Sequence, residues 1–184
     1  NNWLQNEVCI AAKRVYGDKP MKMRWHLILK EGVKAKARLI ILGFQDPRLG
    51  KLNKAAPTVS ARGRNLALQL MANNRLRMYK GDVKAAFLQG SDISTKYDLL
   101  VEPVKELREA MQLKDDEVVK LLTAAYGLMD APKEWHLKVD TDLTQQLQYI
   151  DMQYEPCVWI KYSQDHEIEA VIFVHVDDFV IGVK

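Results

Sequence analysis

The stretch AVIFVHVDDFVIGV, residues 170–183, places two adjacent carboxylates between two short apolar runs. Runs of this length that are rich in Val, Ile and Phe are typical of buried strands. A strand, a tight turn and a second strand would form a hairpin with Asp177 and Asp178 at its tip. Because neighbouring side chains of a regular strand point to opposite faces, both carboxylates can serve one site only if the turn reorients them.

A second stretch, YKGDVKAAFL at residues 79–88, also places a carboxylate, Asp82, at the end of a strand-like run. Unpaired carboxylates are costly to bury among apolar side chains, so each needs water, a basic partner or a cation. An isolated Asp-Asp pair is most simply a polar hairpin tip. Two acidic strand ends in one chain instead favour a shared site.

Three carboxylates that converge would repel one another unless divalent cations lie among them. Carboxylate oxygens with open coordination positions suit Mg²⁺, which also takes water and substrate phosphates as ligands. Two such ions can hold the attacking and leaving oxygens of a phosphoryl transfer. The acids therefore predict a two-metal site, provided that the sheet brings their strand ends together.

Residues 34–38 alternate basic and apolar side chains at the start of a predicted strand. On a strand, this spacing puts Lys34, Lys36 and Arg38 on one face. One interpretation is an edge strand that lysine protects from aggregation. The other is a basic finger that binds phosphates. The alternation alone is compatible with both interpretations.

The bulk composition is that of a globular chain with a mild positive charge. Its 184 residues are 48% hydrophobic and have a formal net charge of +3, which permits a polyanionic partner without requiring one. Cys9 and Cys157 have no metal-site spacing and make no disulfide framework, which favours a reducing compartment. Because no apolar run approaches the roughly 18 residues of a membrane helix, we expect no membrane partner.

Periodicity and turn residues predict helices and strands in an irregular order. Helices are expected over residues 1–18, 62–74, 104–113 and 132–147. Strands are expected over residues 23–29, 35–42, 76–83, 97–102, 118–122, 157–161 and 168–174, the first two joined by a turn at residues 31–32. Since regular β-α alternation is lacking, the predicted class is α+β, with a mainly antiparallel sheet and helices on one face.

Several motifs, in a fixed order along nearly the whole chain, resemble the reverse transcriptase domain of copia-type LTR retrotransposons. The chain has RW at residues 24–25, KARLI at 36–40 with GF at 43–44, and APTV at 56–59, which resemble the family's Lys-Trp, KARLV…GF and SPV. It has DVKAAFLQG at 82–90, YGLMDAPKEW at 126–135 and VHVDD at 174–178, which resemble DVKTAFLHG, YGLKQAPRQW and LYVDD. Each match is modest, but the common order makes the set specific.

The resemblance implies a catalytic centre that contains three acids. Asp82, Asp177 and Asp178 would hold two Mg²⁺ ions, with Mn²⁺ as an alternative. The main-chain carbonyl of Val83 would complete one coordination shell. The implied reaction is the addition of deoxynucleotides to a primer 3′-hydroxyl by an RNA-directed DNA polymerase.

The resemblance also implies a nucleotide site and a nucleic-acid contact. Lys36 and Arg38 would bind the triphosphate, as a point charge and a fork respectively. Phe87 would lie under the sugar and exclude a 2′-hydroxyl, although without the resemblance a core Phe after a strand is an equally good interpretation. The base and template would rest on Tyr126 and Gly127. Primer or template would contact the residues Lys34, His175 and Val176.

As a whole, the chain would be a polymerase palm with an antiparallel sheet, plus a small β-rich fingers subdomain. Residues 1–78 would be mainly fingers, and residues 79–102 and 118–184 mainly palm, with the thumb and RNase H absent. The implied partners are an RNA or DNA template with its primer, deoxynucleotides and the remainder of a Gag-Pol-type polyprotein. The implied location is intracellular, in a cytoplasmic virus-like particle, with a nuclear stage as an option.

Three departures from the family pattern leave a second interpretation open. His175 stands where the family usually has Tyr, Met129-Asp130 replaces Lys-Gln, and Ala125 replaces Leu. His175 is expected either to contact a primer or to be a neutral core residue, and Asp130 to place a carboxylate where nucleic acid should pass. The alternative function is a catalytically decayed remnant that binds nucleic acid. An unrelated α+β binding domain would require every ordered match to be coincidental.

Overall fold

The computed structural model describes residues 2–30 and 34–184, which form four α-helices and ten strands. The helices are α1 (Asn2–Gln5), α2 (Ala61–Asn73), α3 (Lys105–Ala110) and α4 (Ala131–Thr141). The strands are β1 (Cys9–Lys13), β2 (Met21–Lys30), β3 (Lys34–Ile41), β4 (Arg77–Asp82), β5 (Leu100–Glu102), β6 (Glu117–Leu121), β7 (Ile150–Met152), β8 (Glu155–Tyr162), β9 (Ile168–His175) and β10 (Asp178–Val183). The turn expected at residues 31–32 lies outside the described residues.

The chain divides into two compact units, each with a five-stranded sheet. Unit 1 consists of Asn1–Lys54 and Phe87–Trp135, and unit 2 consists of Ala55–Ala86 and His136–Lys184. The α+β class is therefore confirmed. The bounds of the fingers and palm stay a prediction.

The sheet of unit 1 has the strand order β1-β6-β5-β2-β3. Strands β2 and β5 are parallel, whereas the other neighbours are antiparallel. Strands β2 and β3 pair from Met23↔Ile41 to Lys30↔Lys34, which makes a long two-stranded ribbon. Val101 of β5 and the apolar side chains of β6 are buried, so the core of unit 1 lies against these strands.

The expected helix over residues 1–18 is wrong. Helix α1 ends at Gln5, and Glu7 has a positive φ of 49°, which a helix does not permit. Strand β1 follows and pairs with β6 from Cys9↔Leu121 to Lys13↔Glu117. This pairing joins residues that are distant in sequence, so the tertiary contact overrides the local helical periodicity.

The sheet of unit 2 has the order β4-β10-β9-β8-β7 and is antiparallel throughout. Helix α2 covers one face, where Ala67 and Met71 pack in a cluster with Val158, Val171 and Phe173. The Ser60 hydroxyl caps this helix by accepting a hydrogen bond from the Gly63 amide at 2.9 Å. Trp159 follows Val158 and therefore points to the opposite face. There its indole donates to Asp140 of α4 at 2.9 Å.

Two further differences concern the chain after Ala131. Helix α4 ends at Thr141 and continues as a π-helical turn over Asp142–Gln146, where a single helix to residue 147 was expected. Strand β7 was not expected, because three residues with a register shift at Asp151/Met152 show no strand periodicity. The remaining elements lie within a few residues of their expected positions, as is usual for element boundaries.

Cys9 and Cys157 are both buried and free. Burial raises the pKa of Cys9 to about 11 and that of Cys157 to about 12, so both thiols stay protonated at neutral pH. In the described ranges, we find no helix with the length and apolar character needed to cross a membrane.

Candidate active site

The two adjacent acids lie at the turn between β9 and β10. Asp178 pairs with His175, so Val176 and Asp177 form a two-residue turn. Val176 has a positive φ of 62°, which two-residue hairpin turns require but which is a genuine outlier for a β-branched residue. Such strain costs roughly 1–3 kcal/mol and clusters at functional sites. The expected hairpin is therefore present, with Asp177 in the turn and Asp178 as the first residue of β10.

Asp82 is the last residue of β4 and lies directly opposite Asp178 in the register of β4 with β10. The Val83 amide donates to the Asp177 carbonyl at 3.1 Å, which ties the end of β4 to the turn. The backbone pairing of unit 2 thus puts the three acids at neighbouring backbone positions. Like charges on opposed strand positions are destabilising, which is the cost that a bound cation would remove.

Lys80, which sequence reasoning missed, lies beside these acids. Its Nζ is 3.1 Å from Asp178 Oδ1, and both side chains are largely exposed. Lys80 and Asp82 are two residues apart on β4 and therefore share a face. The sequence contained the signal for this contact, because a Lys two positions before the last Asp of a strand lies next to that Asp on the same face of the strand.

The donor set suits a hard cation, since all three acids supply carboxylate oxygens. Within residues 2–30 and 34–184, however, no three His, Cys, Asp or Glu side chains form a group that could hold a metal ion. Asp178 is instead paired with Lys80. The chemistry of the acids fits Mg²⁺, and the roles of Asp82, Val83, Asp177 and Asp178 as ligands stay a prediction.

His175 is exposed at the end of β9, while Val176 is half-buried. The interpretation of His175 as a core histidine is therefore wrong. Its exposure next to the strained turn is compatible with the predicted contact to primer or template, which stays a prediction.

Three of the residues predicted to bind the nucleotide meet in unit 1. The rings of Phe87 and Tyr126 lie 5.6 Å apart between centroids, at an angle of 56°. The Arg38 guanidinium carbon lies 5.4 Å from the centroid of the Tyr126 ring, within the range of a cation–π contact. The structure thus brings together Arg38, Phe87 and Tyr126, although they come from three separate motifs.

The backbone around Tyr126 approaches the end of β3 very closely. The Ile41 amide donates to the Tyr126 carbonyl at 2.7 Å. A Cβ added to Gly43 would lie 2.0 Å from the Gly127 carbonyl oxygen, and one added to Gly127 would lie 2.0 Å from the Ile41 carbonyl oxygen. Gly127 also has a φ of +99°. Only glycine fits at both positions, so Gly127 has a packing role in addition to its predicted contact.

The expected alternation of β3 is present, with Lys34, Lys36 and Arg38 at every second position of a regular strand. Arg38 lies opposite His26, which extends the basic face onto β2 and which sequence reasoning missed. The opposite face is apolar and includes the exposed side chains Leu27 and Leu29. Strand β3 is an edge strand, so its lysines also occupy the positions at which edge protection is expected.

Asp130 does not lie where nucleic acid could meet it. Its side chain is 3% exposed and pairs with Arg48, with Nη1 2.8 Å from Oδ2. The expectation that Asp130 places a repulsive carboxylate in the nucleic-acid path is therefore wrong. Sequence reasoning could not see its partner, which is 82 residues away.

The antiparallel sheet of unit 2 thus sets Asp82 of β4 opposite Asp178 of β10, next to the turn that contains Asp177. The sequence pattern of the family described as reverse transcriptase (RNA-dependent DNA polymerase) matches residues 6–184. The chain therefore belongs to the reverse transcriptase family.

A particular relative supports the copia-type resemblance. The chain is 32% identical over 174 residues to the retrovirus-related Pol polyprotein from transposon TNT 1-94 of Nicotiana tabacum. The match covers 90% of this chain and 12% of that protein, so the chain spans about an eighth of its relative. The resemblance to copia-type retrotransposon reverse transcriptases is confirmed. No solved structure matches the chain.

Proposed function

We propose that this chain is the fingers and palm portion of an RNA-directed DNA polymerase. The primer 3′-oxygen would form a bond to the α-phosphorus of a deoxynucleotide, and the bond to the leaving pyrophosphate would break. The observation that supports this most strongly is the register that sets Asp82 opposite Asp178, with Asp177 bonded to the residue after Asp82.

The acids would hold divalent cations, as reverse transcriptases generally do. Asp82, Asp177 and Asp178 would be the ligands, with the Val83 carbonyl as a further oxygen donor. When bound, Mg²⁺ or Mn²⁺ would supply electrostatic stabilisation of charge on the phosphate oxygens. The chain itself would position the reactants, because phosphoryl transfer requires little covalent chemistry from the protein.

The residues of unit 1 would bind the incoming nucleotide. Arg38 can present two parallel donors to a phosphate, while Lys36 supplies a flexible point charge. The Phe87 ring would exclude a 2′-hydroxyl, so Phe87→Ala should admit ribonucleotides. Tyr126 and Gly127 would support the base and template.

The remaining partners follow from the same proposal. Primer and template would contact Lys34, His175 and Val176, and the rest of a Gag-Pol-type polyprotein would supply further domains. We place the reaction in the cytoplasm, in a virus-like particle, with a later nuclear stage.

A primer-extension assay tests the proposed function. The chain, alone and joined to a thumb domain, is given an RNA template, a labelled DNA primer, deoxynucleotides and Mg²⁺. Asp82→Asn and Asp178→Asn should each lower extension by about a hundredfold or more, whereas the exposed Asp165→Asn should not change it. Binding of primer-template, measured in parallel, should stay within twofold for all variants. Equal extension by wild type and both acid variants would contradict the proposed chemistry.

A second candidate function is a decayed remnant that binds nucleic acid without extending a primer. The pairing of Lys80 with Asp178 favours it, because a cation of the protein occupies an oxygen that a metal ion would need. Binding of primer-template without any extension, under both Mg²⁺ and Mn²⁺, is the result that this candidate predicts.

A further inference from the structure

A buried cluster in unit 1 joins two loops that are distant in sequence. Arg48 contacts Asp46 with Nε at 3.0 Å from Oδ1 and Nη2 at 2.8 Å from Oδ2. The same guanidinium contacts Asp130, with Nη1 2.8 Å from Oδ2 and Nη2 3.2 Å from Oδ1. Its carbon also lies 4.5 Å from the centroid of the Tyr97 ring. Arg48 is thus held by two carboxylates and one aromatic face.

The charges of this cluster depend on one another. All three charged side chains are at least nine-tenths buried. Burial lowers the pKa of Arg48, but the hydrogen bonds that it donates to Asp46 and Asp130 and the charges of both carboxylates outweigh this effect, so the pKa is raised overall. Removing one partner of a buried pair leaves an uncompensated charge, which is far more costly than losing an exposed pair.

The cluster lies at the far end of the loop that begins with Tyr126. At the near end, the Tyr126 carbonyl bonds to Ile41 and Gly127 packs against the backbone of Ile41 and Gly43. At the far end, Asp130 bonds to Arg48, which belongs to the loop that follows Gly43. Residues 126–130 are therefore attached at both ends to one segment, residues 41–48.

We propose that Asp130 is a positioning residue for the nucleotide site. By binding Arg48 it fixes the loop of residues 126–130, so that the Tyr126 ring stays in contact with Phe87 and Arg38. The nucleotide part of this proposal rests on the proposed function, whereas the effect on Tyr126 does not. An Asp at position 130 would then have a structural role, because its carboxylate binds the Arg48 guanidinium.

The test compares Asp130→Asn and Asp130→Gln with the wild type. An amide presents N–H groups to the Arg48 donors and removes the compensating charge. Contacts between the Tyr126 and Phe87 rings are followed by NMR with labelled aromatic residues, and Tyr126→Phe identifies the signals. Binding of dTTP with Mg²⁺ is measured by calorimetry. Both amide variants should lose the ring contacts and bind dTTP about tenfold more weakly, whereas Asp130→Glu should retain most of both.

Two controls separate positioning from general destabilisation. Val118→Ala removes buried apolar volume from β6 and leaves the cluster intact, so it should lower Tm while preserving the ring contacts and dTTP affinity. The exposed Asp115→Asn should change neither. Ring contacts that persist in Asp130→Asn, or that disappear equally in Val118→Ala, would overturn the proposal.

The outcomes also distinguish this proposal from the proposed function. If wild type does not bind dTTP, the proposed function fails, and the ring contacts still decide whether Asp130 positions Tyr126. If Asp130→Gln, which restores the usual residue of the family, instead tightens dTTP binding, Asp130 is a defect and the proposal is wrong.

Discussion

The pairing of Lys80 with Asp178 is the most informative contact at the residue scale. Asp82 and Asp178 are opposed in the strand register, and the positive charge of Lys80, which pairs with Asp178, offsets part of their repulsion. The Lys80 and Asp178 side chains are 72% and 48% exposed, so the pair is screened by water and contributes little stability. The pair matters because Lys80 would compete with a metal ion for the same oxygen of Asp178.

We therefore expect Lys80→Gln to tighten Mg²⁺ binding. An exposed ion pair is worth at most about 1 kcal/mol, which corresponds to up to about a fivefold change in dissociation constant. Calorimetric titration with Mg²⁺ measures the effect. The matched control is Lys184→Gln, which breaks another exposed pair of unit 2, with Glu167, and should leave Mg²⁺ affinity unchanged. Weaker binding in Lys80→Gln would show that Lys80 supports the site rather than competing with the ion.

At the element scale, the ribbon of β2 and β3 separates a basic face from an apolar one. Lys34, Lys36 and Arg38 alternate along β3 with His26 of β2 opposite Arg38, while Leu27 and Leu29 are exposed on the other face. Edge protection and phosphate binding both use exposed lysines. The two interpretations differ in what happens when the charge is removed.

We expect the double variant Lys36→Ala/Arg38→Ala to bind nucleic acid more weakly across all sequences. Each lost phosphate contact should reduce the slope of log affinity against log salt by about one unit. Fluorescence anisotropy at several salt concentrations measures this slope. Lys51→Ala/Lys54→Ala removes the same charge from an exposed loop and should leave the slope nearly unchanged. Equal slopes in the two variants, with aggregation of the first, would favour edge protection.

Helix α4 contributes a second effect at the element scale. His136 lies against Trp159, with ring centroids 6.0 Å apart, and Trp159 donates to Asp140. Burial lowers the pKa of His136, and the charge of Asp140 opposes the shift in part. Protonation of His136 is therefore less favourable in the folded chain than in the unfolded one.

This shift predicts a loss of stability in mild acid. Because the folded-state pKa lies below the unfolded value of about 6.5, the unfolded chain binds more protons as pH falls through that value. The free energy of unfolding should decrease from pH 7 to pH 5, and His136→Gln should flatten the decrease. Urea unfolding at a series of pH values measures it. His166→Gln, at an exposed position, is the control that should keep the wild-type slope.

At the scale of the whole molecule, the predicted functions divide between the two units. The three acids and Lys80 belong to unit 2, while Lys36, Arg38, Phe87 and Tyr126 belong to unit 1. Mg²⁺ binding by the three acids can therefore be measured in the absence of a nucleotide. Nucleic-acid binding can be measured in variants in which the acids are replaced.

We expect Mg²⁺ to stabilise the folded chain through the three acids. A ligand at roughly 100 times its dissociation constant adds about 2.7 kcal/mol if it binds only the folded state. For a chain of this length, that corresponds to a rise in Tm of roughly 5–10 °C. Thermal unfolding with and without Mg²⁺ measures the shift. Asp82→Asn should abolish it and Asp165→Asn should preserve it, so an equal shift in both would place the metal elsewhere.

The sequence by itself determined the α+β class, most of the strands and the family. Short apolar runs with Val, Ile and Phe specify β9 and β10 locally, and the two-residue turn between them follows from their adjacency. The order of motifs from KARLI to VHVDD identified the family, because the order can be read from the sequence without knowing which residues are in contact. The alternation in β3 was also readable, since the period of a strand is a local property.

Only the tertiary structure decided which residues meet. It turned residues 9–13 into a strand, because the partner β6 lies more than a hundred residues later. It placed Lys80 against Asp178, and it buried Asp130 against Arg48 where the sequence alone indicated an exposed, repulsive acid. A local pattern specifies the conformation of a segment, whereas the charge and burial of a side chain depend on partners that folding brings from elsewhere in the chain.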